Sequence, residues 1–120
     1  MESSDLGPHG EKLAEKFLRR AGFRILERNF RRKGGEIDLV CVKNGVIVFV
    51  EVKTRKSLAS GHPLESLTPF KKERLLRTGY QYLAEKQIFE KAFRFDLVAI
   101  LLDTGGRVRE IQHIENFLED

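Results

Sequence analysis

The sequence predicts an α/β fold, a mixed β-sheet flanked by helices with elements in the order αβββαββ. Three observations carry that expectation. Apolar residues at helical spacing open the chain, an Asn-Gly pair joins two β-rich segments, and a second helical stretch precedes a strand that is apolar on both faces. At 120 residues the chain fits one domain, 1–120, and leaves no room for two independent cores. The long crossover through the second helix permits a parallel connection, although the strand order does not follow from the sequence.

From His9 to Ala21, the residues Leu13, Ala14, Phe17, Leu18 and Ala21 recur on one helical face, and Gly22 supplies a stop. Phe23 to Phe30 is a weakly patterned edge strand. After Gly34-Gly35, Glu36 to Lys43 alternates Ile37, Leu39 and Cys41 with Asp38, Val40 and Val42, the pattern of a strand. Val46 to Lys53 is the strongest strand signal, being mostly Val, Ile and Phe. Asn44-Gly45 between them suits a type I′ turn, whose central positions both need positive φ. That turn sets Lys43 opposite Val46, Asp38 opposite Glu51 and Glu36 opposite Lys53, with all four charged residues of the last two pairs on one face.

Arg55 to Ser66 reads as an irregular loop able to serve as a lid. Thr68-Pro69 is an N-cap and first-turn pair for a helix running to about Ala84, with Lys71, Lys72, Arg74 and Arg77 forming a basic flank. Phe93 to Leu102 has two largely apolar faces and is expected in the middle of the sheet. Gly105-Gly106 turns into a short strand from Val108 to Ile111, and the acidic tail is expected to end as an exposed turn or short helix.

With 41% hydrophobic and 33% charged residues and three prolines, the composition is that of an ordered globule. There are 22 Lys and Arg against 18 Asp and Glu, a net charge of +4 that mildly favours a polyanionic partner. Cys41 is the only cysteine, which excludes an internal disulfide and a multi-thiolate zinc site, and suits a small core residue in a reducing compartment. His9, His62 and His113 lack ligand spacing. The opening residues include Glu2 and Asp5 and do not resemble a secretory signal, and no apolar run has membrane-spanning length. The expected location is cytoplasmic, with no membrane partner.

The chemistry lies in the carboxylate face. The expected register brings the Cβ atoms of Asp38 and Glu51 to about 4.5–5.5 Å, which is repulsive unless a cation, a proton or Lys53 compensates. Mg²⁺ prefers hard oxygen ligands and can bridge carboxylates to a phosphate. Lys53 can then orient or deprotonate an attacking water, or stabilise charge on phosphoryl oxygens. Glu11, near the inward stripe of the first helix, can bind the metal directly or through water, or only hydrogen-bond nearby groups. A surface ion cluster of Asp38, Glu51 and Lys53, with Glu36 paired to Lys53, is the competing structural reading. Asp96 reads as a partner of its neighbours. The run Arg19 to Lys33, with seven Lys or Arg and one Glu, can bind phosphates or form a solvated surface.

The segments Arg28-Asn29-Phe30-Arg31, Gly35-Glu36-Ile37-Asp38-Leu39-Val40 and Phe49-Val50-Glu51-Val52-Lys53-Thr54-Arg55 closely resemble the small bacterial YraN-like family. Agreement continues through Gly61-His62-Pro63, Lys71, Arg74-Leu75 and Arg94-Phe95-Asp96, covering nearly the whole chain. The resemblance implies a restriction-endonuclease-like fold, related to PD-(D/E)xK nucleases and archaeal Holliday-junction resolvases. It implies Asp38 and Glu51 as metal ligands, Lys53 as the catalytic lysine and Glu11 as the helix carboxylate, with Ile37 standing where the nominal motif has proline. The resulting expectation is a Mg²⁺-dependent DNA endonuclease, with Mn²⁺ as substitute cofactor, branched DNA as a candidate substrate and a homodimer as the arrangement that pairs two sites. A noncatalytic nucleic-acid-binding or adaptor protein on the same scaffold is the alternative.

Overall fold

The computed structural model describes residues 3–57, 59 and 61–118, with side chains from Leu6 onward. The elements are α1 (Ser3–Arg20), β1 (Arg24–Arg32), β2 (Gly35–Lys43), β3 (Val46–Arg55), a 3-10 turn at Pro63–Ser66, α2 (Pro69–Glu85), β4 (Phe93–Leu102) and β5 (Val108–Ile114). The five strands lie in chain order in one mixed sheet, antiparallel except for the β3–β4 pair, which α2 connects in parallel. The central strand is therefore β3, with β4 beside it. No helix among the described residues is long and apolar enough to cross a membrane.

Each helix buries one stripe against one face of the sheet. Ala14 and Leu18 of α1 pack with Leu39, Cys41, Val48, Val50 and Val98, and truncating a buried leucine such as Leu18 costs about 2–5 kcal/mol. Leu75, Tyr82 and Leu83 of α2 pack with Phe30, Val40, Ile47, Phe49 and Phe95 on the other face. Cys41 is core, and burial pushes its thiol up to about 12. Gly22 stops α1 at φ 93°, with Phe23 N–H donating to Leu18 O at 2.9 Å, the six-to-one bond of a Schellman cap. Thr68 Oγ1 accepts from Lys71 N–H at 3.2 Å and caps α2.

Several boundaries differ from expectation. Helix α1 begins at Ser3 rather than His9, Pro8 included, because Leu6 extends the apolar stripe onto the core. Strand β5 runs on to Ile114 through pairing with β4. The residues after it are not simply exposed: Phe117 N–H donates to Phe95 O at 2.9 Å, and Phe117 and Leu118 pack against the α2-side core. Part of the expected lid, Leu58 and Ser60, lies outside the described residues, as do Met1, Glu2, Glu119 and Asp120 at the ends. The far side of that loop is tied down by His62, whose Nε2 lies 2.7 Å from Gln112 Oε1 while its Nδ1 accepts from Leu64 N–H.

Candidate functional site

The site forms where β2 and β3 part company. Asn44 and Gly45 have φ of 50° and 77°, as a type I′ turn requires, and the ladder runs from Lys43↔Val46 to Leu39↔Val50 as expected. It stops there. The expected pairs Asp38–Glu51 and Glu36–Lys53 are not ladder pairs. Instead, the Asp38 side chain takes the place of a backbone acceptor, its Oδ2 accepting from Val52 N–H at 2.8 Å.

A twist in the β1–β2 hairpin explains the parting. Leu39 packs on the α1 side of the sheet and Ile37 on the α2 side, whereas residues two apart on a regular strand share a face. The opposing strand changes side at the same level, since Arg28 pairs with Leu39 and Phe30 with Ile37. Asn29, between them, has φ 51°, a left-handed conformation that Asn tolerates better than most residues. The expectation of four charged residues on one regular face is corrected accordingly: Glu36, Glu51 and Lys53 line one cavity, and Asp38 lies in the gap between strands.

Asp38 and Glu51 are brought together as expected. The two carboxyls interact directly and both are raised, Asp38 to about 8, first by burial and then by the charge of Glu51, so the buried pair tends to hold a proton between them. Burial also raises Glu51, against the pull of Lys53. Lys53 Nζ stands 3.8 Å from Glu51 Oε1, so Glu51, not Glu36, is its partner. Glu36 pairs with Arg31 at 3.0 Å.

Glu11 of α1 lines a neighbouring hollow with Lys12, Glu15, Arg28, Asn29 and Arg31, not the cavity of Glu51 and Lys53, and meets Asp38 only through its charge. Gly10, before it, packs so tightly on β3 that a Cβ there would stand 1.8 Å from Thr54 Oγ1. Burial, and then the negative charges of Asp38 and Glu36, raise the Glu11 carboxyl. With its amide oriented to donate, Asn29 Nδ2 lies 2.9 Å from Glu11 Oε1 and 3.3 Å from Glu36 Oε1. Glu36, expected on this face, is thus a site neighbour through Asn29, which strand alternation alone does not single out. The sequence signal for Asn29 was available only as a residue type that accepts positive φ.

The cavity beside Glu51, about 220 Å³, is lined by Gly35, Glu36, Glu51 and Lys53 on the sheet side and by Leu67, Lys71, Arg74 and Leu75 on the α2 side. Arg74 Nε donates to Gly34 O at 3.0 Å, holding α2 against the β1–β2 turn. Two residues of the expected basic flank therefore stand over the carboxylates. The other basic run is largely engaged: Arg19 and Arg28 bind Glu15, Arg31 binds Glu36 and Arg32 binds Glu85.

Among the described residues no three His, Cys, Asp or Glu side chains are grouped closely enough to hold a metal ion by themselves. Mg²⁺ asks for less, taking one or two carboxylates and completing its shell with water and substrate phosphate. The Asp38–Glu51 pair fits that donor set, because it brings the hard oxygens of two buried carboxylates together, where each raises the other's affinity for a positive charge. Asp96 stands apart from this chemistry. It is fully buried, accepts from Arg94 and Asn116 N–H, lies 2.8 Å from His113 Nε2 and is held below the usual carboxylate range by these partners despite burial.

A family model described as "Uncharacterised protein family UPF0102" matches residues 10–100. A UPF0102 protein of Pelobacter propionicus is 43% identical over 120 residues, covering 98% of this chain and 85% of that protein. One of Syntrophomonas wolfei is 46% identical over 112 residues, covering 93% of this chain and 96% of its own length. One of Chlorobium phaeobacteroides is 43% identical over 116 residues, covering 93% and 92% respectively.

Proposed function

The chain belongs to the UPF0102 family, and from the geometry of its carboxylate cluster we propose that it is a metal-dependent endonuclease hydrolysing DNA phosphodiester bonds on a restriction-endonuclease-like fold. The observation that carries this reading is one cavity in which Glu51, joined to Asp38, and Lys53 face Lys71 and Arg74. Carboxylates suited to a hard cation and side chains suited to phosphate thus border the same space.

Asp38 and Glu51 would hold Mg²⁺ or Mn²⁺ directly, with Glu11 acting through water. The metal supplies Lewis-acid polarisation of the phosphoryl group. To serve as ligands, Asp38 and Glu51 would give up to solvent the proton held between them. Lys53, anchored beside Glu51, stabilises negative charge on the phosphoryl oxygens and orients the attacking water. Lys71 and Arg74 hold phosphate oxygens, Arg74 through the planar fork that matches them. Branched DNA is the substrate form suggested by the resolvase resemblance, and a homodimer is the arrangement that would place two such cavities on two strands.

The test is cleavage of duplex, single-stranded, flap and four-way-junction DNA in Mg²⁺ or Mn²⁺ by wild type and by D38A, E51A and K53A. Metal-dependent cutting that disappears in all three variants is expected. Folded wild-type protein that cuts none of the panel overturns the reading. Binding that persists unchanged in D38A and E51A, without cutting in wild type, identifies the second reading, a noncatalytic nucleic-acid-binding protein, which the phosphate-suited Lys71 and Arg74 also favour.

A further inference from the structure

Helix α2 carries an exposed aromatic ring beside the cations of the cavity. Phe70 is 67% exposed. It follows Pro69 in the first turn, directly after the Thr68 cap, so its backbone is held by a formed helix end. The Arg74 guanidinium carbon is 5.8 Å from its ring centroid, and Arg74 itself lines the cavity that Glu51 and Lys53 share. A single exposed apolar side chain is ordinary on a protein surface; the position of this one is what matters.

The other exposed aromatic residues differ in their surroundings. Tyr80 stacks edgewise on Phe93, with centroids 5.4 Å apart. Phe89, 77% exposed, lies in the segment between α2 and β4 and borders a separate hollow with Gln87, Ile88, Glu90 and Lys91. Phe70 has no other ring–ring or cation–ring contact among the described residues than that with Arg74. With two-thirds of its surface exposed, the side chain stands open to solvent next to a guanidinium that can bind phosphate.

A ring next to phosphate-binding cations matches one ligand chemistry in particular. A nucleobase offers a flat π surface at fixed reach from its own phosphate, and stacking on an aromatic side chain tolerates any base. Bases inside a continuous duplex are already stacked on their neighbours and present only their edges in the grooves. We propose that Phe70 is a stacking platform for an unpaired nucleobase whose adjoining phosphate Arg74 and Lys71 hold, so that the substrate class is DNA with at least one unpaired nucleotide at the cavity. The proposal rests on the nuclease reading and narrows it to a DNA form. The Arg74–Phe70 contact would place a cation on one side of the stack, adding a cation–π contribution.

The experiment is fluorescence anisotropy without divalent metal, using a single-stranded oligonucleotide, a flap and a blunt duplex of matched length. The proteins are wild type, F70A, F70L, F70W and, as a control at the distant aromatic, F89A. F70A is expected to weaken single-strand and flap binding about 5- to 100-fold and to leave duplex binding within about twofold. F70W restores the lost affinity and F70L does not, because stacking requires a π face rather than apolar bulk. A 2-aminopurine placed at the unpaired position is quenched by wild type and less by F70L. Equal losses on single strand and duplex, rescue by F70L, or an equal effect of F89A overturns the platform while leaving the nuclease reading standing. Wild type that binds none of the three DNAs at low salt overturns the nuclease reading and the platform together.

Discussion

Asp38 combines two properties that a solitary surface aspartate lacks: its oxygen replaces a missing strand acceptor at Val52, and its proton is shared with Glu51. The pH response follows from the second. In an unfolded chain Asp38 titrates near an ordinary carboxylate value of about 3.9, whereas in the fold it is pushed up to about 8. The folded state therefore binds the extra proton. The associated stabilisation is full below about pH 4 and is lost as pH rises through about 8. Metal-free protein is expected to lose stability across that window in urea melts, and D38N, which keeps an uncharged donor beside Glu51, flattens the loss while abolishing cleavage. A wild-type stability that rises across the window would contradict the shared proton. If the pair holds Mg²⁺ as proposed, the ion competes with that proton, and its protective effect on unfolding is expected to grow as pH approaches 8 from below.

At the scale of elements, the site depends on how closely α1 approaches β3. Gly10 makes the approach feasible, because a Cβ there would stand 1.8 Å from Thr54 Oγ1 and 2.8 Å from Thr54 Cβ. The second distance involves an atom fixed to the strand backbone, so rotating the threonine does not relieve it. G10A is expected to force α1 outward, costing about 1–3 kcal/mol of stability and moving Glu11 away from Asp38. Thermal unfolding checks the first effect. Metal titration followed by protection from unfolding checks the second: G10A should weaken metal binding, while L18A, destabilised by about 2–5 kcal/mol at a distance from the site, should not. Unchanged metal binding in G10A would remove Glu11 from the metal site. The strand signals were legible because β-branched runs and an Asn-Gly turn are local, and the Asn44-Gly45 turn correctly set five ladder pairs. The hairpin twist at Asn29 was not, because it reverses which face each residue occupies only when both strands change side together.

At the scale of the whole molecule, a net charge of +4 says less than where its cations are free to act. Much of the basic run between α1 and β2 is held by Glu15, Glu36 and Glu85, and such exposed pairs contribute little to stability, about 0–1 kcal/mol each. Lys71 and Arg74 instead use backbone carbonyls, Ser66 O and Gly34 O, as acceptors, and among the described residues neither forms a salt bridge, although Glu36 and Glu51 line the same cavity. DNA affinity should therefore fall with salt, and K71A and R74A should each reduce the slope of log K against log salt by about one. R19A and R32A should leave that slope nearly unchanged. Equal slope changes for all four variants, measured by salt titration of binding, would show that the basic run and not the cavity grips the phosphates.

The sequence by itself determined the element order and the register at the Asn44-Gly45 turn, since these rest on short-range periodicity and turn chemistry, and it pointed to Asp38 and Glu51 as neighbours through a ladder pairing that the fold replaces with a side-chain contact. Even the placement of Asp96 with Arg94 was readable from their spacing, although its contact with His113 was not. The tertiary structure decided the strand order, the parting of β2 from β3, the placing of Glu11 in a hollow apart from Glu51, and the arrival of Lys71 and Arg74 over the cavity. Each of these joins residues far apart along the chain, and each depends on how the two helices pack against opposite faces of a twisted sheet, which no local pattern encodes.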